Sequence, residues 1–373
     1  MKRSHVFAAI FGTALGLAAC SGGTGSNILP QSTQGDAIAP HGVARAAATS
    51  LPTLGAYNVD WTNVITAGVS SGADMATQVH FSHSSKIKGE ATFAGSPFFC
   101  ALGTSDAFWG LVYGPVYAAD YAAYSCSGTS YWPSEAPPLG TLETDTKNAA
   151  SDGYMDPVSN LNGEHAWLWS GTADTVVSQK VVEDTNTMLN YFGVGTSTNF
   201  TTASEHGWVT PDVSSSTNPC GQLNSDYLIN CGVDAEGAFL SYFFGTLNAR
   251  NNGTLTGSLI KFNQSPYAAT DMDSSAYIFV PAACASGSLC KLVVALHGCE
   301  MGQSFIGTAF VTNSGLNEWA DTNKIIVLYP QAIASTDPVN DLGCWDWWGY
   351  NGTNYASSEG SQVTAIWKMM QRI

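Results

Sequence analysis

Gly68-Val69-Ser70-Ser71-Gly72, read beside Leu296-His297-Gly298-Cys299, decides how this chain is organised. The first stretch has the Gly-x-Ser-x-Gly spacing of a nucleophile elbow, a sharp turn that exposes a serine hydroxyl. The second has the His-Gly start of a loop whose backbone amides hold an oxyanion. In the usual order the oxyanion loop precedes the nucleophile. Here it follows, in the last quarter of the chain.

The local context supports the elbow. Trp61 to Ala67 has β-branched residues at 62 and 64–66 and reads as a strand. Ala73 to Phe81 reads as a helix, so the pentapeptide sits between strand and helix. Glycine at 68 and 72 avoids side-chain clashes in the turn. The spacing selects Ser70 as nucleophile, and the amide of Ser71 would face the oxyanion. A plain Ser/Gly-rich turn is the bland alternative. With the reversed order of the two motifs, the expectation is a circularly permuted α/β-hydrolase fold, a single domain with a mostly parallel central sheet.

Chain order in this fold class is serine, acid, histidine. Ala166-Trp167-Leu168-Trp169 reads as a buried strand. Ser170-Gly171-Thr172-Ala173-Asp174 follows and delivers a carboxylate at the strand end. A helix is expected from Val176 to Tyr191, with Gly193 just past it. Aspartate in that place also commonly caps a helix. Of the seven histidines, His5 and His41 lie in the first 50 residues. His80 and His83 follow the elbow too closely, His297 belongs to the oxyanion loop, and His165 precedes the acid. His206 therefore remains as the base, in a loop after the strand-like Asn199-Phe200-Thr201-Thr202. Its own bland reading is a surface-loop histidine. Ser70 would attack a carbonyl, His206 would take the proton, and Asp174 would fix the imidazole tautomer.

Lys291 to Leu296 is a largely apolar strand leading into His297-Gly298-Cys299, and the amide of Cys299 would be the second oxyanion donor. Lys324 to Pro330 reads as another buried strand. Cys344-Trp345-Asp346-Trp347-Trp348 carries three tryptophans in four residues. They can be core, but beside an oxyanion loop they are candidates to line an apolar substrate cleft. Trp347, Trp345 and His297 are the candidate substrate-contacting side chains.

Composition narrows the partners. Of 373 residues only 11% are charged, and the net charge is −16. Phosphate binding needs clustered Lys and Arg, so nucleic acid is not expected. Lys2 and Arg3, the apolar run Val6 to Ala19 and Leu17-Ala18-Ala19-Cys20 read as a bacterial export signal with a lipobox, residues 1–20. Cys20 would be lipidated, and Ser21 after it points to the outer membrane. Ordinary cleavage and free secretion is the alternative. Residues 21–50, rich in Ser, Gly, Thr, Ala and Gln, read as a flexible tether, and residues 51–373 as the catalytic domain. Nine cysteines are present. Setting Cys20 aside leaves an even set, as disulfides in an exported chain require. Many pairings are open. Nearest-neighbour pairing gives Cys100–Cys126, Cys220–Cys231, Cys284–Cys290 and Cys299–Cys344. No Cys-x-x-Cys or convincing Cys/His set points to a metal.

These residues resemble the poly(3-hydroxybutyrate) depolymerases, most closely the fungal single-domain type. The likeness runs from about Leu51 to about Met370. It includes the elbow, Trp169-Ser170-Gly171-Thr172-Ala173-Asp174-Thr175, Leu247-Asn248-Ala249-Arg250 and Val294-Ala295-Leu296-His297-Gly298-Cys299. It continues through Trp319-Ala320-Asp321-Thr322-Asn323, Leu328-Tyr329-Pro330-Gln331-Ala332 and Gly343-Cys344-Trp345-Asp346-Trp347. The resemblance implies Ser70, Asp174 and His206 as the triad and the amides of Ser71 and Cys299 as the oxyanion hole. It implies Trp347 as a substrate contact, and it supports the neighbour disulfides. Two departures stand out. Asp74 occupies a place near which that family tends to carry Gly or Tyr, which is expected to alter the cleft mouth. Gly207-Trp208-Val209 after the base is expected to set its loop differently.

The resemblance implies a monomeric serine esterase, without cofactor or metal, that hydrolyses poly(3-hydroxybutyrate) or its oligomers through an acyl-enzyme. The alternative within the class is a carboxylesterase for other acyl esters, such as feruloyl or acetyl esters. The alternative outside it is a non-catalytic lipoprotein that binds an apolar polymer.

Overall fold

A computed structural model of the chain describes residues 50–101, 125–128 and 138–373. The expected signal, the lipobox at Cys20 and nearly all of the expected tether lie outside the described residues.

The strands, in chain order, are β1 (Val59–Val69), β2 (Gly89–Phe93), β3 (His165–Trp169), β4 (Gly195–Asn199), β5 (Trp208–Val209) and β6 (Leu228–Ile229). They continue with β7 (Ser258–Asn263), β8 (Ser275–Val280), β9 (Cys290–Leu296), β10 (Ile325–Tyr329), β11 (Ser335–Thr336) and β12 (Val339–Asn340). Eight form the main sheet in the order β4-β3-β2-β1-β9-β10-β8-β7. The run from β4 to β10 is parallel. β8 is antiparallel to both β10 and β7.

Alternation within the strands explains why the sheet is covered on both faces. In β9, Leu292, Val294 and Leu296 enter one apolar cluster, while Val293 and Ala295 enter the other. β10 repeats the division, with Ile326 and Leu328 on one side and Ile325, Val327 and Tyr329 on the other. Such strands read as continuous apolar runs.

The permutation is visible in the sheet. β1, which ends at the elbow, lies beside and parallel to β9, which ends at the oxyanion loop. Gly68 is in register with Leu296. The first four strands extend the sheet from β1 to one edge; β7 and β8 then form the other edge, β9 pairs with β1, and β10 fills the place between β9 and β8.

Most element ends agree with expectation, and the differences have local causes. The helix expected from Val176 starts at Gln179. Asp174 Oδ1 instead accepts the amides of Val176 and Val177 in a turn, and Ser178 caps the helix by accepting the Lys180 amide. The strand expected over 199–202 is displaced to Gly195–Asn199. Asn199 Oδ1 accepts from the Thr202 amide at 3.3 Å and its hydroxyl at 3.0 Å, which closes a turn and ends the strand. All four neighbour disulfides are present.

Candidate active site

Ser70 stands at the turn between β1 and the helix Ser71–Ser82, with φ 56° and ψ −128°. This conformation is costly for a residue with a Cβ. The turn is held by the Ser70 amide, which donates to Phe93 O at 2.9 Å, and by Ser70 O, which accepts from Ala73 N at 2.8 Å. The two elbow glycines have different reasons. A Cβ on Gly68 would lie 2.0 Å from Gly72 O, inside the turn itself. A Cβ on Gly72 would lie 2.3 Å from the carbonyl oxygens of both Leu296 and His297. Gly72 therefore lets the elbow helix close on the oxyanion loop.

The candidate acid and the candidate base follow β3 and β4. Asp174 Oδ2 is 3.0 Å from His206 Nδ1, with both side chains almost fully buried. Their loops pack backbone to backbone: Thr172 N donates to Thr202 O, and Ala173 N to Ser204 O. A Cβ on Gly171 would sit 1.9 Å from Ser204 O, so this approach needs glycine. The sheet brings the serine to the same end, because β2 alone separates β1 from β3. No hydrogen bond joins Ser70 Oγ to His206 Nε2 in the structure. Such contacts often tighten only once substrate is bound.

Glu205 was not among the expected site residues. Its buried carboxylate accepts the His206 amide at 2.6 Å and the Thr175 amide at 3.1 Å through Oε2, and the Thr175 hydroxyl at 2.6 Å through Oε1. It thereby ties Thr175, the residue after Asp174, to His206. Adjacency to His206 was the only signal in the sequence. Beyond the base, Trp208 anchors the loop from inside the core. Its Nε1 donates to Glu236 Oε1 at 2.7 Å and to Ser314 O at 3.0 Å. This is how Gly207-Trp208-Val209 sets the base loop.

The amides of Ser71 and Cys299, the expected oxyanion donors, have no acceptor among the described residues. Gly298 lies between, and a Cβ there would come 3.3 Å from the Ser70 Cβ. The Cys299–Cys344 disulfide joins the loop to the tryptophan segment. Trp345 N also donates to Ser71 Oγ at 3.3 Å.

Two of the three expected substrate-contacting side chains need correction. His297 and Trp345 are both 0% exposed. His297 Nδ1 donates to Gly298 O at 2.7 Å, and Nε2 accepts from Ala332 N at 3.1 Å. Burial pulls its pKa down to about 4, so the ring is neutral and can both donate and accept. It braces the oxyanion loop from behind, and Trp345 packs against it in the core. Trp347 is half-buried and does line a small cavity with Asp74, Gln78, Ser96, Phe98 and Tyr355. Asp74 is one helical turn below Ser70. Its carboxyl accepts the Ser96 amide at 2.6 Å and hydroxyl at 2.9 Å, and burial raises its pKa to about 7. The departure at Asp74 thus lies in the wall of the cavity.

The other histidines are occupied elsewhere. His80 is clamped between Glu90 (2.9 Å) and Glu164 (2.8 Å), and His83 stacks on Trp367. A half-exposed serine, an Asp–His pair and two amides without an acceptor among the described residues, all at the same end of the parallel strands, are together suited to acyl transfer.

No established family model matches the chain. It is 38% identical over 355 residues to a poly(3-hydroxybutyrate) depolymerase of Delftia acidovorans, covering 93% of this chain. The chain spans 66% of the length of that relative. It is 36% identical over 346 residues to a polyhydroxybutyrate depolymerase of Talaromyces funiculosus, covering 89% of this chain and 94% of the relative. Two solved structures are also similar. One is PHB depolymerase from Penicillium funiculosum, and the other is a serine-to-alanine PHB depolymerase complexed with an R3HB trimer. Each has a TM-score of 0.74 and 35% identity, covering 86% of this chain and 98% of its own.

Proposed function

Because this chain belongs to the polyhydroxybutyrate depolymerase family, we propose that it is a serine esterase that hydrolyses poly(3-hydroxybutyrate) and its oligomers. The observation that carries this reading is the convergence of Ser70, the Asp174–His206 pair and the Ser71 and Cys299 amides at one end of the parallel sheet.

In the proposed reaction Ser70 Oγ adds to the ester carbonyl while His206 Nε2 takes its proton. Asp174, bonded to Nδ1, stabilises the imidazolium that forms. The Ser71 and Cys299 amides receive the negative oxygen. Collapse breaks the bond to the alkoxy oxygen, and His206 returns the proton to the departing hydroxyl. Water, deprotonated by the same imidazole, then releases the acyl group as a carboxylic acid and restores Ser70. No cofactor or metal takes part. Trp347 is the proposed substrate contact in the cavity wall. The buried positions of Trp345 and His297 assign both to holding the loop.

We read residues 51–373 as the catalytic domain of a monomer and residues 1–20 as an export signal with Cys20 as the lipid-bearing residue. The four disulfides fit an exported protein. Labelling with radioactive palmitate in a Gram-negative host, lost in Cys20→Ala, tests the anchor. Elution volume on size exclusion tests the monomer.

The deciding experiment measures 3-hydroxybutyrate release from amorphous poly(3-hydroxybutyrate), wild type beside Ser70→Ala. Release by the wild type alone is expected. Equal release by Ser70→Ala would overturn the nucleophile. No release by the wild type, with Ser70-dependent cleavage of a small acyl ester, would move the substrate to other acyl esters.

A further inference from the structure

Among the described residues, six other than glycine have positive φ, and the side chains of two of them meet. Tyr227 has φ 52° and Glu300 has φ 59°. The Tyr227 hydroxyl donates to Glu300 Oε2 at 2.8 Å, joining segments 73 residues apart. A strained backbone persists only where its surroundings hold it, and such positions cluster at working sites.

Each residue is built into one side of the proposed active site. Tyr227 O accepts the Trp208 amide at 2.8 Å, and a Cβ on Gly207 would come 2.6 Å from that same oxygen. The Tyr227 ring also stands edge-on to the His206 ring, with centroids 6.1 Å apart. Glu300 directly follows Cys299, whose amide is the proposed oxyanion donor. The Glu300 amide donates to Leu342 O at 2.7 Å, and Cys299 is bonded to Cys344. The disulfide and the Leu342 contact hold the oxyanion loop to the tryptophan segment. Among the described residues, the Tyr227 bond is the hydrogen bond that ties the Glu300 side chain to the base side of the site.

We propose that Tyr227 and Glu300 form a latch that holds the base loop and the oxyanion loop in register, making both of them positioning residues for the reaction. The inference rests on the catalytic reading given above. Its physical basis is that oxyanion stabilisation requires donors fixed before charge develops. The left-handed turn at Glu300 sets the direction of the peptide that follows Cys299. The latch opposes relaxation of that turn. Burial, and then the Glu300 bond and charge, raise the Tyr227 phenol above its usual range, so it remains a donor across the working pH range.

The test uses the full chain with p-nitrophenyl butyrate as substrate and n-butylboronic acid as a tetrahedral adduct mimic. Rates are expressed per active serine titrated with a fluorophosphonate. Tyr227→Phe and Glu300→Ala are each expected to lower kcat ~10-fold with little change in KM, and to weaken boronate binding by a similar factor. The double variant should be no worse than either single variant, because one bond is lost in all three. Glu300→Gln keeps an acceptor oxygen and should restore most of kcat. Unchanged kcat and boronate affinity in Tyr227→Phe would overturn the latch, as would additive losses in the double variant. A loss confined to the number of titratable serines would show a purely structural role and also overturn it. Failure of the catalytic reading is separable, because Ser70→Ala would then remain active.

Discussion

Asp174 divides its carboxylate between two tasks: Oδ2 bonds His206 Nδ1 at 3.0 Å, while Oδ1 accepts the amides of Val176 at 2.8 Å and Val177 at 2.7 Å. The turn that an aspartate makes at a strand end is therefore also what aims the second oxygen at the imidazole. The capping reading and the catalytic reading describe the same side chain.

Asp174→Asn separates the two tasks. The amide oxygen can still serve the turn, but an NH2 group facing Nδ1 forces the wrong tautomer. A kcat loss on the order of 10⁴ is expected on p-nitrophenyl butyrate, with the thermal midpoint little changed. A loss under tenfold would remove Asp174 from the triad.

Glu205 should matter to rate as well as to stability, since it joins the Thr175 and His206 amides. Glu205→Ala leaves both donors unpaired in a buried place, at a cost of about 1–3 kcal/mol. Chemical denaturation would read that cost, and kcat should fall roughly tenfold as the base loses its anchor. Glu205→Gln retains an acceptor oxygen and should fall between wild type and Ala. Wild-type kcat in Glu205→Ala would show that the base loop is held by other contacts.

The elbow should not tolerate Gly72→Ala. The added Cβ meets two carbonyl oxygens at 2.3 Å, and both belong to the backbone of the oxyanion loop. Neither can swing away as a side-chain tip would. The helix and the loop must part, so destabilisation of about 3 kcal/mol or more and loss of esterase activity are expected. A soluble, fully active Gly72→Ala would show that the helix approaches the loop less closely than described.

His80 makes stability depend on alkaline pH. Burial lowers its affinity for a proton, but the hydrogen bonds and charges of Glu164 and Glu90 outweigh this and raise its pKa to about 9. The folded pKa lies above the unfolded value of about 6.5. The folded state therefore holds the proton more tightly, and this contribution is fully present below about 6.5. It declines as pH rises and is lost through about 9. The thermal midpoint should fall between pH 7 and pH 10, more steeply than in His80→Gln. Equal slopes for the two proteins would show that His80 is neutral in the fold.

How much could be read in advance depended on the distance between partners. The elbow, the strand before it and the Ser170–Asp174 loop are contiguous patterns, and each was legible. His206 emerged by elimination and chain order. The antiparallel pair β7 and β8 carried no expectation, because no adjacent motif marks their pairing. No sequence pattern marks Glu205 or Tyr227 either. Each has a partner far along the chain, Thr175 30 residues before Glu205 and Glu300 73 residues after Tyr227. The burial of Trp345 and His297 is not legible in sequence, because an aromatic next to a site has the same letters whether it faces the cleft or the core.

The sequence by itself determined the permuted order of the two motifs, the Ser70–Asp174–His206 candidates and the even set of cysteines, while the structure fixed which of them pair. The sequence readings depend on residue type and chain order, which local turn chemistry makes readable. Tertiary structure alone decided that Gly72 faces the oxyanion loop, that His297 braces it as a neutral ring, and that Glu205 and the Tyr227–Glu300 bond tie the site together. Those outcomes depend on which buried groups meet across the sheet ends. Strand register and packing, rather than spacing along the chain, set those meetings.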